Sequence, residues 1–523
     1  MISNHKLLFL LFIICFICLV SNNVLVSNFS TLENIQVIFP PPPPPLETLK
    51  PPPPPHCRYE NSPLKNSIYV YSGELSSNRS PYHFHRISEK LKKAPKKVHY
   101  DPKSPFAQFA LEMVVHDIIT HPSNCLTTSD PTLAKLFYVP FFSDMEFRIG
   151  LDGVQKELNR EITPHGDALM SAMIGTEEGY AKWEKTWGHP STFWRRHKGA
   201  DHIVVIAAPL SGFTHPQSRR GSYHYIHTQL QLTRTIVLSV EQSTTFIRDY
   251  PHCSRKNIVL PYPNHDGEWL RGDFSQSKDQ SKDQSKALLF YSGGNHGECV
   301  PLRKMINAEA SCYTSEQNAN ANANANKKQP HHVGLSSATF CPAPHGDSPS
   351  AKRMYDAVIS GCIPVVLSTD FVWALTTDAL GDKATSKLSP DDFSMRFDSA
   401  KMLEAGGFRM DNCDIEERGG GFEDEELLLE KLQSVSNEEI ERLQAGLEEA
   451  AKLFSFYKLG DEDMSDFPLL EGRVPDGGAA DSLIAELAER VGGEQSRSCV
   501  EELGGQDFTP KMDGLKVPNK FVC

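Results

Sequence analysis

The chain has 523 residues, 39% apolar and 23% charged, which is enough for two globular domains with flanking segments. Its formal charge of −13 argues against a general nucleic-acid binder, which needs a basic face. A local basic patch can still coexist with that total.

Lys6 precedes an unbroken apolar run from Leu7 to Val20, and continuing to Val26 gives about 30 Å of helix. The run reads as an uncleaved signal anchor or as a cleaved signal peptide. Cleavage after Ser21 or Ser27 would put Leu19 or Leu25 at the −3 position, which favours the anchor. With Lys6 on the short side, the bulk of the chain is expected in the lumen of the secretory pathway, as a single-pass type II membrane protein. Two proline blocks follow, Pro40–Pro45 and Pro51–Pro55. Residues 40–55 would extend over roughly 50 Å as a stiff stalk. Of 12 cysteines, only Cys15 and Cys18 lie in the apolar run. An oxidising lumen should pair some of the others, with the connectivity left open.

Short apolar runs then recur: "SIYVYSG" at 67–73, "KLFYVPFF" at 135–142, "HIVVIAAP" at 202–209, "RTIVLSVE" at 234–241, "NIVLPYP" at 257–263, "ALLFYSGG" at 287–294 and "IPVVLS" at 363–368. Segments with helical spacing lie between them, so parallel sheets covered on both faces are expected. The expected division is an anchor over 1–26, a stalk over 27–60, a first α/β domain over 61–255, a second over 256–470 and a C-terminal tail over 471–523. Low-complexity stretches near 274–286 and 316–330 lack the apolar content to build a core and read as surface insertions. Further on, Ser436 and Glu439 make a capping-box pattern ahead of an apolar stripe that ends at Phe454.

The segment "CPAPHGDSPSAKRMYDAVISGCIPVVLS", from Cys341 to Ser368, carries most of the chemistry. It reads as a strand end, a glycine-containing turn, a helix and another strand. With Ser348 as N-cap and Pro349 in the first turn, the helix would run to about Ser360. Ala351, Met354, Tyr355 and Val358 then face the sheet, and Ser350, Arg353 and Asp356 fall on the opposite side. Such a turn presents backbone N–H groups to an anion. Arg353 is placed to reach a diphosphate, and Asp356 to accept hydrogen bonds from two vicinal hydroxyls. The other reading is a capped surface helix with an i,i+3 Arg–Asp pair.

This segment resembles the signature of exostosin-type glycosyltransferases. It has a Phe-Cys-x-x-Pro opening, Gly346 seven residues before Arg353, an acid three residues after it, and Gly-Cys-Ile-Pro-Val. "IYVYSGE", "AKLFYVPFF", "FWRRHKGADHIVV", "KNIVLPYP", "FYSGGNHGECVPLRKMI" and "LSPDDFSMRF" agree in order, so the resemblance spans roughly residues 67–400. It implies an α/β, GT-B-like fold, two Rossmann-like domains facing a cleft, with a UDP-sugar in the second. It also implies a Golgi or ER location, a glycan acceptor, and pairing with itself or another exostosin-like chain. Carried across, Gly346 and Ser348 belong to the phosphate turn and Arg353 and Asp356 to the donor site, with Ser350, on the same helix face, a further donor-binding candidate. Arg303 would face the diphosphate leaving group, so no metal or other cofactor is expected.

The resemblance also implies inversion at the anomeric centre, which calls for a base, and Asp144 and Glu146, just past "FYVPFF", are the candidates, or else structural caps of the next helix. Asp461-Glu462-Asp463 has the acid-x-acid spacing of a metal-binding motif but reads as a solvated loop. The first strand ends "YSGE" where relatives usually have Asp-Leu-Pro, and "IVVIAAP" lacks the usual polar closure. These departures motivate the alternative of a catalytically inactive relative that binds glycans or a partner chain.

Overall fold

The computed structural model describes residues 57–71, 107–142, 168–169, 171–173, 175–207, 233–242, 244–264, 287–293, 302–307, 331–346, 348–380, 386–398, 410–411, 414–415, 428–457 and 476–502. The N-terminal apolar run, both proline blocks, both low-complexity stretches, Asp144, Glu146 and residues 461–463 lie outside them. Among the described residues no helix is long and apolar enough to cross a membrane.

Each expected apolar run contains a strand. β1 (Ile68–Val70), β2 (Thr127–Thr128), β3 (Leu136–Val139), β4 (His202–Ile206), β5 (Ile236–Ser239) and β6 (Ile258–Val259) form a parallel sheet in the order β2-β1-β3-β4-β5-β6. β7 (Ala287–Leu289), β8 (Ala338–Pro344), β9 (Ile363–Leu367) and β10 (Met395–Arg396) form a second parallel sheet in simple chain order. β11 (Met410–Asp411) and β12 (Asp414–Ile415) make a separate antiparallel pair. Every residue of β3, β4, β5 and β9 is buried, as a parallel sheet covered on both faces requires. The fold is therefore α/β with parallel-strand sheets.

Helices in the first part are α1 (Leu111–Thr120), α2 (Glu177–Trp187), α3 (Thr192–His197), α4 (Thr244–Asp249) and α5 (Pro251–Lys256). Those that follow are α6 (His331–Ser336), α7 (Lys352–Ile359), α8 (Thr377–Leu380), α9 (Leu428–Gln433), α10 (Asn437–Leu453), α11 (Ala479–Ala488) and α12 (Glu494–Glu502). The Ser436 hydroxyl accepts from the Glu439 N–H to cap α10, and Leu443, Leu447, Ala450 and Phe454 are buried along its stripe.

Trp183 and Trp187 of α2 and Trp194 of α3 are fully buried in an aromatic cluster that includes Tyr71 and His202. A polar chain runs through this core. The Tyr71 hydroxyl lies 2.9 Å from His202 Nε2, and His202 Nδ1 lies 2.8 Å from the Asp201 carboxylate. Arg196 donates to the other Asp201 oxygen at 2.9 Å. The carboxylate assigns the proton of a neutral imidazole to Nδ1, so Nε2 accepts from Tyr71. Burial pushes the His202 pKa down, and the Asp201 contact only partly opposes it.

The C-terminal helices return to the first sheet. Cys253 of α5 pairs with Cys499 of α12, and Glu502 accepts from the N–H groups of His252 and Cys253 at the start of α5. The buried Arg490 guanidinium donates to the carbonyls of Arg255, Lys256 and Asn257 just ahead of β6, and to the Glu486 carboxylate at 2.8 Å. Lys256 extends this lock to the Thr235 carbonyl ahead of β5, at 2.9 Å. Two further disulfides, Cys57–Cys125 and Cys341–Cys362, are formed among the described residues.

Removing one partner of a buried ion pair typically costs about 3–5 kcal/mol. Arg490→Met is expected to lose stability on that scale, measured by the denaturant midpoint. For His202, the unfolded chain protonates near pH 6.5, whereas the folded chain protonates only at lower pH. Its contribution is therefore complete above about pH 6.5 and declines as pH falls toward the depressed folded value, by up to ~1.4 kcal/mol per pH unit. Urea titrations from about pH 7 to 5 should show a correspondingly shallower loss of stability in His202→Gln.

Candidate functional site

The turn between β8 and α7 is built by contacts from a distant part of the chain. α7 begins at Lys352, after an extended Ala351, rather than at Pro349 as the local pattern suggests. Ser348 does not cap it, because its hydroxyl donates to Glu241 Oε2 at 2.5 Å. The same oxygen accepts the Ser350 N–H at 2.7 Å and the Ser350 hydroxyl. Glu241 is buried two residues beyond β5. Since the one hydroxyl proton of Ser350 goes to that carboxylate, the Tyr262 hydroxyl donates to Ser350 Oγ, at 2.9 Å. Lys352 Nζ reaches Asn264 Oδ1 at 2.9 Å and also pairs with Asp356. Glu241, Tyr262 and Asn264 all follow the carboxyl ends of first-sheet strands, so those ends meet the turn at the carboxyl end of β8.

Gly346 sits in tight quarters within this turn. Its N–H donates to the Ser348 carbonyl at 2.9 Å, and a Cβ there would sit 3.0 Å from the Ser350 carbonyl oxygen. From beneath, the fully buried Arg303, in helical residues 302–307, donates to the His345 carbonyl at 2.7 Å. The structure thus gathers Arg303, Gly346, Ser348, Ser350, Arg353 and Asp356 around one turn and the first half of α7. Cys341–Cys362 fastens β8 to the residue before β9 behind it.

Burial divides these residues. Among the described residues from His345 to Ser360, only Gly346, Arg353 and Asp356 keep partial exposure. The Arg353–Asp356 pair of the alternative reading, a capped surface helix, does not form. Asp356 takes Lys352 at i,i+4, and Arg353 Nη1 donates to the Tyr291 hydroxyl at 3.0 Å, with the guanidinium over the ring at 5.6 Å. No carboxylate among the described residues pairs with Arg353. Tyr291 stands two residues beyond β7, and Gly293 leaves room for this contact. A Cβ on Gly293 would overlap the Tyr291 hydroxyl and lie 2.6 Å from Arg353 Nη1. A half-buried guanidinium without an anionic partner among the described residues, beside a glycine turn at strand ends, suits a phosphorylated ligand.

Asp144 and Glu146 lie outside the described residues. In the chain they follow Phe142, past the carboxyl end of β3, where the sheet order reverses between β1 and β3. Two grooves of about 640 and 400 Å³ lie around Asp481 and share no lining residue with the β8–α7 turn. Sequence reasoning missed Glu241, Tyr262, Asn264 and Tyr291. An acid just past a buried strand, in "VLSVE", was the one local signal for Glu241.

Comparison with known proteins agrees with the geometry. The chain is 25% identical over 270 residues to a probable xyloglucan galactosyltransferase of Arabidopsis thaliana, covering 49% of this chain and 50% of the relative. A xyloglucan-specific galacturonosyltransferase of the same plant is 22% identical over 283 residues, covering 52% and 38%. A probable arabinosyltransferase, also from Arabidopsis thaliana, is 24% identical over 250 residues, covering 47% of each. The chain therefore spans about half the length of the curated relatives it matches. Residues 64–378, more than half of the chain, match the Exostosin GT47 domain, and the chain belongs to that family.

Proposed function

We propose that this chain is a glycosyltransferase that moves a sugar from a UDP-sugar to a glycan acceptor with inversion of the anomeric centre. The observation that carries the reading is Arg353, half-buried and without a carboxylate partner among the described residues, beside Gly346 and Asp356 in the family-matched region. In this reading Arg353 takes the diphosphate and Asp356 the ribose hydroxyls. Arg303 adds positive charge beneath the turn, where low dielectric strengthens its effect on the departing UDP. These cations are proposed to stabilise the leaving group without a metal. Ser348 and Ser350 support the turn through Glu241 and hold its shape for the phosphates.

The fold proposed for this chemistry is GT-B-like, with two Rossmann-like units presenting their strand ends to one cleft. The meeting of the β5, β6 and β8 carboxyl-end segments supports it. Asp144 or Glu146 is the proposed base, on the acceptor side of that cleft. Relatives named for galactosyl, galacturonosyl and arabinosyl transfer match this chain about equally, at 25%, 22% and 24% identity, so the donor is proposed only as a hexosyl or pentosyl nucleotide. Three disulfides among the described residues support an oxidising lumen, and Leu7–Val26 is proposed as the anchor of a type II Golgi protein. Partnership with a second exostosin-like chain belongs to the same proposal.

Calorimetric titration of UDP into the purified chain, with chelator present, tests this reading. Wild-type protein is expected to bind. Arg353→Ala should bind about 10–100-fold more weakly, the loss of one charge-assisted contact of ~1.5–3 kcal/mol. No binding by folded wild-type protein would contradict the donor site and favour the catalytically inactive relative. Binding only after a divalent cation is added would contradict the metal-free mechanism.

A further inference from the structure

We infer that Glu241 is a positioning residue for the donor turn, acting through Ser348 and Ser350 to set the direction of Arg353. The inference rests on the donor-site reading above and adds to it a residue from the opposite sheet. Three donors converge on one carboxylate oxygen: the Ser348 hydroxyl, the Ser350 hydroxyl and the Ser350 backbone N–H. This places a full negative charge, buried, at the turn that opens α7.

The contact fixes backbone as well as side chains. Holding the Ser350 N–H outward keeps Ala351 extended, so that α7 starts at Lys352 and Arg353 stands in its first turn. Tyr262 braces the same serine, and Asn264 holds the Lys352 ammonium, so residues 348–352 are clamped from three first-sheet positions. A turn pinned this way delivers Arg353 to the Tyr291 hydroxyl, in the space that Gly293, lacking a side chain, leaves open. Glu241 touches no ligand in this account. Its effect is pre-organisation of the group that does, and a small misplacement at such a site is worth as much as 100-fold.

The experiment compares Glu241→Gln, Glu241→Ala, Ser350→Ala and Arg353→Ala with wild type, measuring UDP affinity by calorimetry and thermal midpoint on the same samples. Glu241→Gln keeps the reach and one accepting oxygen but loses the charge. It is expected to keep a near-wild-type midpoint while binding UDP about tenfold more weakly, a loss that a purely structural contact would not produce. Glu241→Ala should weaken UDP further, and if it fails to fold, Glu241→Gln and Ser350→Ala decide the matter. Wild-type affinity in folded Glu241 variants, alongside lost affinity in Arg353→Ala, would overturn the inference while leaving the donor site standing. Tighter binding by Glu241→Ala would also overturn it, by showing the carboxylate competing with the diphosphate. A folded wild-type protein that ignores UDP would overturn the donor-site reading itself.

Discussion

Three hydrogen bonds into a single oxygen of Glu241 join the carboxyl end of the first sheet to the turn before α7, and the candidate site depends on that junction. A buried carboxylate is stable only when it is well hydrogen-bonded, and here the hydroxyls and N–H of residues 348 and 350 all donate to its Oε2. The turn is therefore shaped by its partner across the two sheets and not by the helix it precedes. That constraint explains why α7 starts late and why the serines are buried while Arg353 is only half-buried.

The same strands are held at their other end. Ahead of β5 and β6, Arg490 and Lys256 bind the carbonyls of residues 235 and 255–257, and the Cys253–Cys499 disulfide fastens α12 to α5. β5 and β6 are thus gripped at their amino ends by the last described helices and at their carboxyl ends by the β8–α7 turn. One continuous apolar cluster, from Leu64 to Leu487, fills the space between these polar locks and includes residues of both sheets. Apolar burial supplies the bulk of the driving force, and the polar contacts select the arrangement.

Local pattern made the strands legible: short aliphatic and aromatic runs mark β1, β3 to β7 and β9, and Ser436 marks the start of α10. β2 and β10 were not legible, because two-residue strands such as Thr127–Thr128 and Met395–Arg396 carry no apolar run and depend on their neighbours. Within the site, Gly346, Arg353 and Asp356 could be placed from their spacing, since all three belong to one strand–turn–helix unit. Glu241 and Tyr262 could not, because they reach Ser350 across 109 and 88 residues of sequence. The pairing of Asp356 with Lys352 was hidden for a different reason. Arg353 at i,i+3 and Lys352 at i,i+4 compete for the same carboxylate, and the Tyr291 ring draws Arg353 away.

The central claim is that the β8–α7 turn receives the nucleotide diphosphate. Hydrogen–deuterium exchange of the whole chain, with and without saturating UDP, tests it most directly. The account predicts new protection over residues 341–356 and 291–293, with the Asp481 grooves unchanged. Protection confined to the Asp481 grooves, or absent from the turn while UDP is bound, would contradict it.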